Sequence, residues 1–215
     1  MNINNNGLPT IEKAEELLRE AELQNIGQWG NHSRNVAFCA SKIAEACGMN
    51  KEKAYILGLL HDIGRKFGIK HLGHVYDGYK YMLSLGYTQV AKICLTHSFC
   101  NQDLSEYIGN FDITPDEQKE LEIALDVAVY DDYDRLIQLC DALGAANGIV
   151  EIEERMKDVK ARYGTYPQKK WDKNIKLKEY FEKLCKHNIY DIIRKWTLQI
   201  EVYSYVGRIK WKLLF

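Results

Sequence analysis

The chain has 215 residues, of which 46% are hydrophobic and 27% charged, ordinary proportions for a folded globular protein and too apolar for a disordered one. Its 29 basic and 30 acidic side chains leave a net charge of −1, so no strong field toward nucleic acid or an anionic membrane is expected. No apolar run reaches the roughly 18 residues of a membrane span, the Asn-rich start has no apolar signal core, and the 6 cysteines form no Cys-x-x-Cys pair. Reduced thiols in a cytoplasmic protein are the expectation.

Residues 1–9 read as a flexible polar tail. Thr10 can cap a helix with Ile11, Ala14, Leu17, Leu18 and Ala21 on one face, broken at Gly27 and Gly30. Asn31 is the expected cap of a second helix, with Val36, Ala40, Ile43, Ala44 and Cys47 inward and Gly48 as its stop. Asn50 caps a third, running through Ala54, Leu57 and Leu60 to His61. Gly64 and Gly68 mark a loop that carries Arg65, Lys66, Lys70 and His71. Further helices are expected over His74 to Leu85, Thr88 to His97, Asp116 to Ala128, Tyr133 to Ala146 and Ile149 to Ala161. A last one spans Leu177 to Trp196, with an interruption near Asn188 as one option. With 3 prolines and little alternation, the fold class is all-α, a helical bundle forming one domain over residues 10–196. Residues 197–215 form an appendage that fits a short β-hairpin or an extra helix. Its apolar and aromatic side chains could pack on the domain or on a second subunit, making a homodimer one possible assembly.

The chemistry starts at His61-Asp62, an imidazole and a carboxylate at the end of the apolar stretch Ala54 to Leu60. A buried charge is costly unless it is paired or bound to a metal, so this pair asks for a cation. Other ligand types lie at helix ends and on inner faces. His32 is in a first turn, His74 begins a helix and His97 ends one. Asp141 sits within Leu136, Ile137, Leu139, Cys140, Ala142 and Leu143. Imidazole and carboxylate ligands without a nearby thiolate suit Fe, Mn, Co, Ni or Mg better than a sulfur-rich zinc site. Helical bundles draw such ligands from facing helices.

The order His32, His61-Asp62, Asp141, with Gly64 after the pair, resembles the HD superfamily of metal-dependent phosphohydrolases, from about Gly30 to Ala146. The resemblance implies an HD-domain bundle and an enzyme with one divalent metal on His32, His61, Asp62 and Asp141. In binuclear members two further histidines hold a second metal, with the pair's Asp as bridge. His74, four residues before Gly78, and His97 match those two. Binuclear cyclic-dinucleotide phosphodiesterases carry consecutive histidines where this chain has His97-Ser98, and their Gly-Tyr-Pro element is missing. The chain is more similar to the small binuclear members that cleave dinucleoside tetraphosphates, which usually have Lys at the position of Arg65. Arginine can still bind phosphate through its bidentate fork but is a poor proton donor.

The implied reaction is cleavage of a phosphoester or phosphoanhydride in a nucleotide-like small molecule by metal-activated hydroxide. Asp62 and Arg65 would be the catalytic residues. Arg65, Lys66, His71 and Lys70 would contact substrate phosphate, with His71 also a candidate acid for the leaving group. The alternative is a nucleotide-binding regulatory module with little or no turnover.

The other groups receive plainer readings. Asp131, Asp132 and Asp134 read as charge near a helix N-terminal dipole. His187 and the face from Glu151 to Lys160 read as surface. Tyr163, Tyr166 and Trp171 read as core packing ahead of a base-stacking wall.

Overall fold

The structure, a computed structural model, describes residues 7–194. Thr10 caps α1 (Ile11–Gln24) by accepting the Lys13 N–H at 3.3 Å, and the expected face of Ala14, Leu17, Leu18 and Ala21 is buried. Asn50 does the same for α3 (Lys51–Leu60), accepting the Lys53 N–H at 2.9 Å. Between them α2 (Trp29–Ala46) starts earlier than Asn31, which lies inside the helix. The Trp29 indole N–H donates to the Asn25 carbonyl at 2.8 Å. That anchor lets the helix run through Gly30 without a side-chain cap.

A 3-10 turn (Ile63–Phe67) leads to α4 (Leu72–Ser84) and α5 (Thr88–Thr96). A second such turn (Leu104–Glu106) precedes α6 (Pro115–Asp126), which opens on a capping box between Thr114 and Glu117. Helix α7 (Asp132–Leu143) opens on a capping box between Asp131 and Asp134. It stops before Ala146 because the chain folds into a two-residue antiparallel ladder. In it β1 (Gly144–Ala145) pairs with β2 (Gly148–Ile149), Gly144 opposite Ile149. Helix α8 (Ile152–Tyr163) follows, and α9 (Gln168–Cys185) begins well ahead of Leu177. Its polar first turns are anchored by buried Asn174, whose amide donates to the Tyr166 hydroxyl at 2.7 Å. The break near Asn188 is present. Lys186 takes a positive φ of 59°, and Asn188 Oδ1 accepts the Tyr190 N–H at 2.9 Å to start a helical stretch over 189–194. The hairpin or helix expected over 197–215 lies outside the described residues.

The result is an all-α bundle with one minimal sheet among the described residues. Among the described residues no helix is long and apolar enough to cross a membrane. The main core joins α1, α2, α3, α7 and α9 through Leu18, Ile43, Leu57, Leu139 and Phe181. A smaller cluster of Leu72, Val75, Leu95, Phe99, Leu121 and Leu125 ties α4, α5 and α6. Each fully buried side chain of this kind contributes roughly 1.5–3 kcal/mol.

Two glycines set how closely the ligand-bearing elements approach. A Cβ on Gly58 would lie 2.8 Å from the Ala37 Cα, so α2 and α3 pack backbone to backbone there. A Cβ on Gly64 would lie 1.9 Å from the His74 carbonyl oxygen, so the turn after Asp62 rests directly on α4. Any larger residue would push those elements apart. All 6 cysteines are free thiols.

Candidate metal centre

Each candidate ligand arises from a helix end. His61 and His97 are the residues that follow the last turns of α3 and α5. Asp141 lies in the last turn of α7, while His32 and His74 lie in the first turns of α2 and α4. Three helix C-termini, the negative ends of their dipoles, and two N-termini, the positive ends, therefore meet at one place. Asp62 follows His61 directly and is 3% exposed.

The six side chains converge. His32 Nε2 lies 3.3 Å from His61 Nε2 and 3.0 Å from Asp141 Oδ1. His61 Nε2 is 3.8 Å from that same Asp141 oxygen and 3.9 Å from Asp62 Oδ2. On the other side of Asp62, Oδ1 is 3.1 Å from His74 Nε2 and 3.5 Å from His97 Nε2. Two groups could each hold a cation, His32–His61–Asp62 and Asp62–His74–His97, and they share Asp62. The second nitrogens are committed elsewhere. His61 Nδ1 pairs with the Gly58 carbonyl at 2.7 Å, His97 Nδ1 with that of Cys94 at 2.9 Å, and His74 Nδ1 with that of His71. An Nδ1–H bound to a carbonyl leaves Nε2 with a free lone pair facing the centre, the tautomer a metal ligand needs. Of these four imidazoles, His32 alone has its Nδ1 buried without a partner among the described residues.

The electrostatics fit a cation. Burial alone would raise the Asp62 carboxyl, but Arg65, His61 and His74 outweigh it and hold it well below the usual carboxylate range. Asp141 is likewise held down by His32 and His61 against the effect of burial. Burial, helped by the Arg65 charge, pushes His74 down to about 4, so its imidazole is neutral at pH 7. Burial opposes the charged form of His61, yet the Asp62 and Asp141 carboxylates raise it overall. A cation bound there would displace that proton. A buried nitrogen and oxygen donor set of this kind is compatible with a divalent metal.

Above the centre opens a cavity of about 440 Å³. Arg65 lines it, with Nε 2.5 Å from Asp62 Oδ2 and the side chain about one-third exposed. Lys66 does not. Its ammonium sits 3.9 Å from the centre of the Tyr81 ring, because a cation–π contact on the outer face draws it away. Lys70 is paired with Asp77 at 2.6 Å and also lies outside the lining. His71 precedes α4, gives its N–H to Asp112 at 2.7 Å and sets its ring edge-on to Tyr163 at 6.0 Å. It too is outside the lining.

Of the three aromatic residues read as core, Tyr163 and Tyr166 line the cavity, while Trp171 packs edge-on against Tyr166 at 5.7 Å. Asp131 caps α7, and fully buried Asp134 pairs with Lys92 at 2.7 Å and accepts from Thr96 at 2.8 Å. Tyr107, Gln138, Arg155, Arg162 and Lys170 also line the cavity, beyond the residues expected from sequence. Only Arg155 and Arg162 left a local signal, their i, i+7 spacing with Val159 between on one helical face.

The fold and centre define an all-helical protein with a buried histidine–carboxylate cluster able to hold divalent metal. The family comparison places it: the HD domain model matches residues 29–146, more than half of the chain, and the chain belongs to the HD domain family. The matched segment begins at the start of α2 and ends just after Asp141, so it contains all six converging residues. No curated protein and no solved structure matches the chain.

Proposed function

We propose that the protein is a metal-dependent phosphohydrolase that cleaves a phosphoester or phosphoanhydride bond in a nucleotide-like small molecule. The observation that carries this reading is Asp62, whose two oxygens face two separate histidine groups. One metal would be held by His32, His61, Asp62 and Asp141, and a second by His74, His97 and Asp62. Divalent metal there supplies Lewis-acid polarisation of a phosphoryl oxygen and water made acidic enough to ionise near neutral pH.

The chain's own residues complete the arrangement. The Arg65 guanidinium, within reach of the cavity and of Asp62, clamps the non-bridging oxygens of the phosphate by charge-assisted hydrogen bonds. It stays protonated throughout, so it positions and neutralises charge without donating a proton. Asp62 remains ionised, shared by the two groups, and with a single metal bound its other oxygen would orient the attacking water. Attack forms a new P–O bond to the water oxygen and breaks the bond to the leaving oxygen, which takes up a proton. A cavity of about 440 Å³ has the size of a small-molecule site, which supports a free nucleotide-like compound as substrate ahead of a nucleic acid. The likeness of His74 and His97 to the second histidine pair of dinucleoside-tetraphosphate-cleaving relatives makes those compounds the first to try.

The test is a metal-supplemented screen of phosphate esters, nucleotides and dinucleoside polyphosphates with purified protein. Turnover that requires Mn, Fe, Co, Ni or Mg is the expected result. Nucleotide binding without turnover under any metal would instead assign a regulatory module.

A further inference from the structure

The cavity has two walls of different origin. Its floor comes from the family-matched segment, with His32, Asp62, His74, His97, Asp141 and Arg65. The facing wall comes from α8 and α9, which lie beyond residue 146. Helix α8 turns Arg155, Val159 and Arg162 toward the cavity, while Glu153, Glu154, Lys157 and Lys160 stay exposed. The face from Glu151 to Lys160, read from sequence as plain surface, is therefore surface on one side only.

The charges on this lining are sorted. Its only carboxylates are Asp62 and Asp141, both at the metal centre. Every other charged lining group, the histidines aside, is basic: Arg65, Arg155, Arg162 and Lys170. In a chain with a net charge of −1 this is a local concentration of positive charge. Asp158, outside the lining, holds both arginines, accepting from Arg155 Nη1 at 3.0 Å and from Arg162 Nη2 at 3.0 Å. One carboxylate between two guanidinium groups leaves net positive charge and fixes the forks side by side. Lys170 has less compensation. Its partly buried ammonium donates to the Ser98 carbonyl at 2.7 Å, and no ion pair engages it among the described residues. A partly desolvated cation held only by a carbonyl calls for an anion.

We propose that Arg155, Arg162 and Lys170 form an anion-binding arm that holds a phosphoryl group other than the one at Asp62, so that the ligand carries a chain of two or more phosphoryl groups. This rests on the phosphohydrolase reading and sharpens it, from phosphate compounds in general to polyphosphates. A monoester would reach Arg65 and the centre but leave the arm unused. A nucleoside polyphosphate and inorganic polyphosphate share the chemistry that the arm recognises, and the test separates them.

The test is calorimetric titration of the full chain with inorganic tripolyphosphate, ATP and orthophosphate, in the wild type and in Lys170→Gln and Arg162→Gln. The wild type should bind tripolyphosphate more tightly than orthophosphate, and each variant should cut that preference by about tenfold, as expected for the loss of one charge-assisted contact. Because exposed Arg162 can be changed without disturbing the core, its variant decides the matter should Lys170→Gln unfold. An unchanged preference in a folded variant, or no preference in the wild type, would overturn the arm. ATP binding tighter than tripolyphosphate identifies a nucleotide as the ligand, whereas equal binding identifies the phosphate chain alone, and the arm stands in both cases. A wild type that shows this preference yet hydrolyses no phosphate compound with any metal would sink the hydrolase reading and leave the arm standing.

Discussion

His74 Nε2 lies 3.1 Å from Asp62 Oδ1, although the two residues belong to different elements separated by the turn at Gly64. The contact exists because a glycine lets that turn rest on the first turns of α4. It makes Asp62 the residue on which both histidine groups depend, and several outcomes follow from it.

Asp62→Ala should abolish metal binding at both positions, because each group loses its common oxygen ligand. Activity should fall by more than the roughly 10–100-fold that changes to supporting residues around a metal typically cost. Elemental analysis of the purified variant checks this. Metal content equal to that of the wild type would refute the assignment.

His97→Ala should remove one metal and spare the other, since His97 faces Asp62 Oδ1 at 3.5 Å and belongs only to the second group. Metal-to-protein stoichiometry before and after the change is the readout. Loss of both ions, or of neither, would point to a single-metal centre.

Arg65→Ala should lower kcat/KM by on the order of 10–100-fold, the worth of one charge-assisted hydrogen bond to phosphate. Metal should be retained, because Arg65 is no ligand. Unaltered kinetics would place Arg65 as a mere partner of Asp62.

Gly64→Ala should destabilise the fold by about 1–3 kcal/mol or more, since the new methyl group would meet the backbone carbonyl of His74 at 1.9 Å. Urea denaturation measures the loss, and metal affinity should fall with it. A variant as stable as the wild type, with full metal content, would show that the turn does not set the spacing.

Asp112 offers a test by pH. Its carboxylate accepts the N–H groups of His71 at 2.7 Å and Gly73 at 2.8 Å, holding the start of α4. Burial would raise this carboxyl, but the backbone N–H groups outweigh it and lower it from 3.8. A depressed carboxylate stabilises the fold above its unfolded value and loses that contribution as pH falls through its folded value. Stability should therefore decline below about pH 4, and Asp112→Asn should flatten that decline while costing about 1 kcal/mol at neutral pH. Identical acid profiles for the two proteins would count against the anchoring role.

The parts of the fold that could be read from sequence are those where a local device marks the boundary. Thr10 and Asn50 cap α1 and α3 with their own side chains, so both helix starts were visible. Helix α2 lacks such a cap and is anchored by an indole N–H to Asn25, a contact that no propensity encodes. At the centre, His32, His61, Asp62, His74, His97 and Asp141 were found by residue type and order, and the structure brings them together. Lys66 adjoins Arg65 in the chain, but its direction is decided by Tyr81, fifteen residues on. Lys170 carries no sequence signal, because it is fixed by Ser98, a partner 72 residues away. Contacts between distant segments carry no local pattern.

The imidazoles of His61, His74 and His97 are each locked by a backbone carbonyl three residues earlier in the chain. Peptide oxygens cannot be mutated away, so the orientation of those rings survives almost any side-chain change around them. His32 has no such tether on Nδ1 among the described residues. Its ring is held from the Nε2 side alone, by Asp141 Oδ1 at 3.0 Å, a side-chain contact that mutation can remove, which makes it the weakest latch of the centre. Exchange of metal with solvent should begin at His32, with the other three rings standing still.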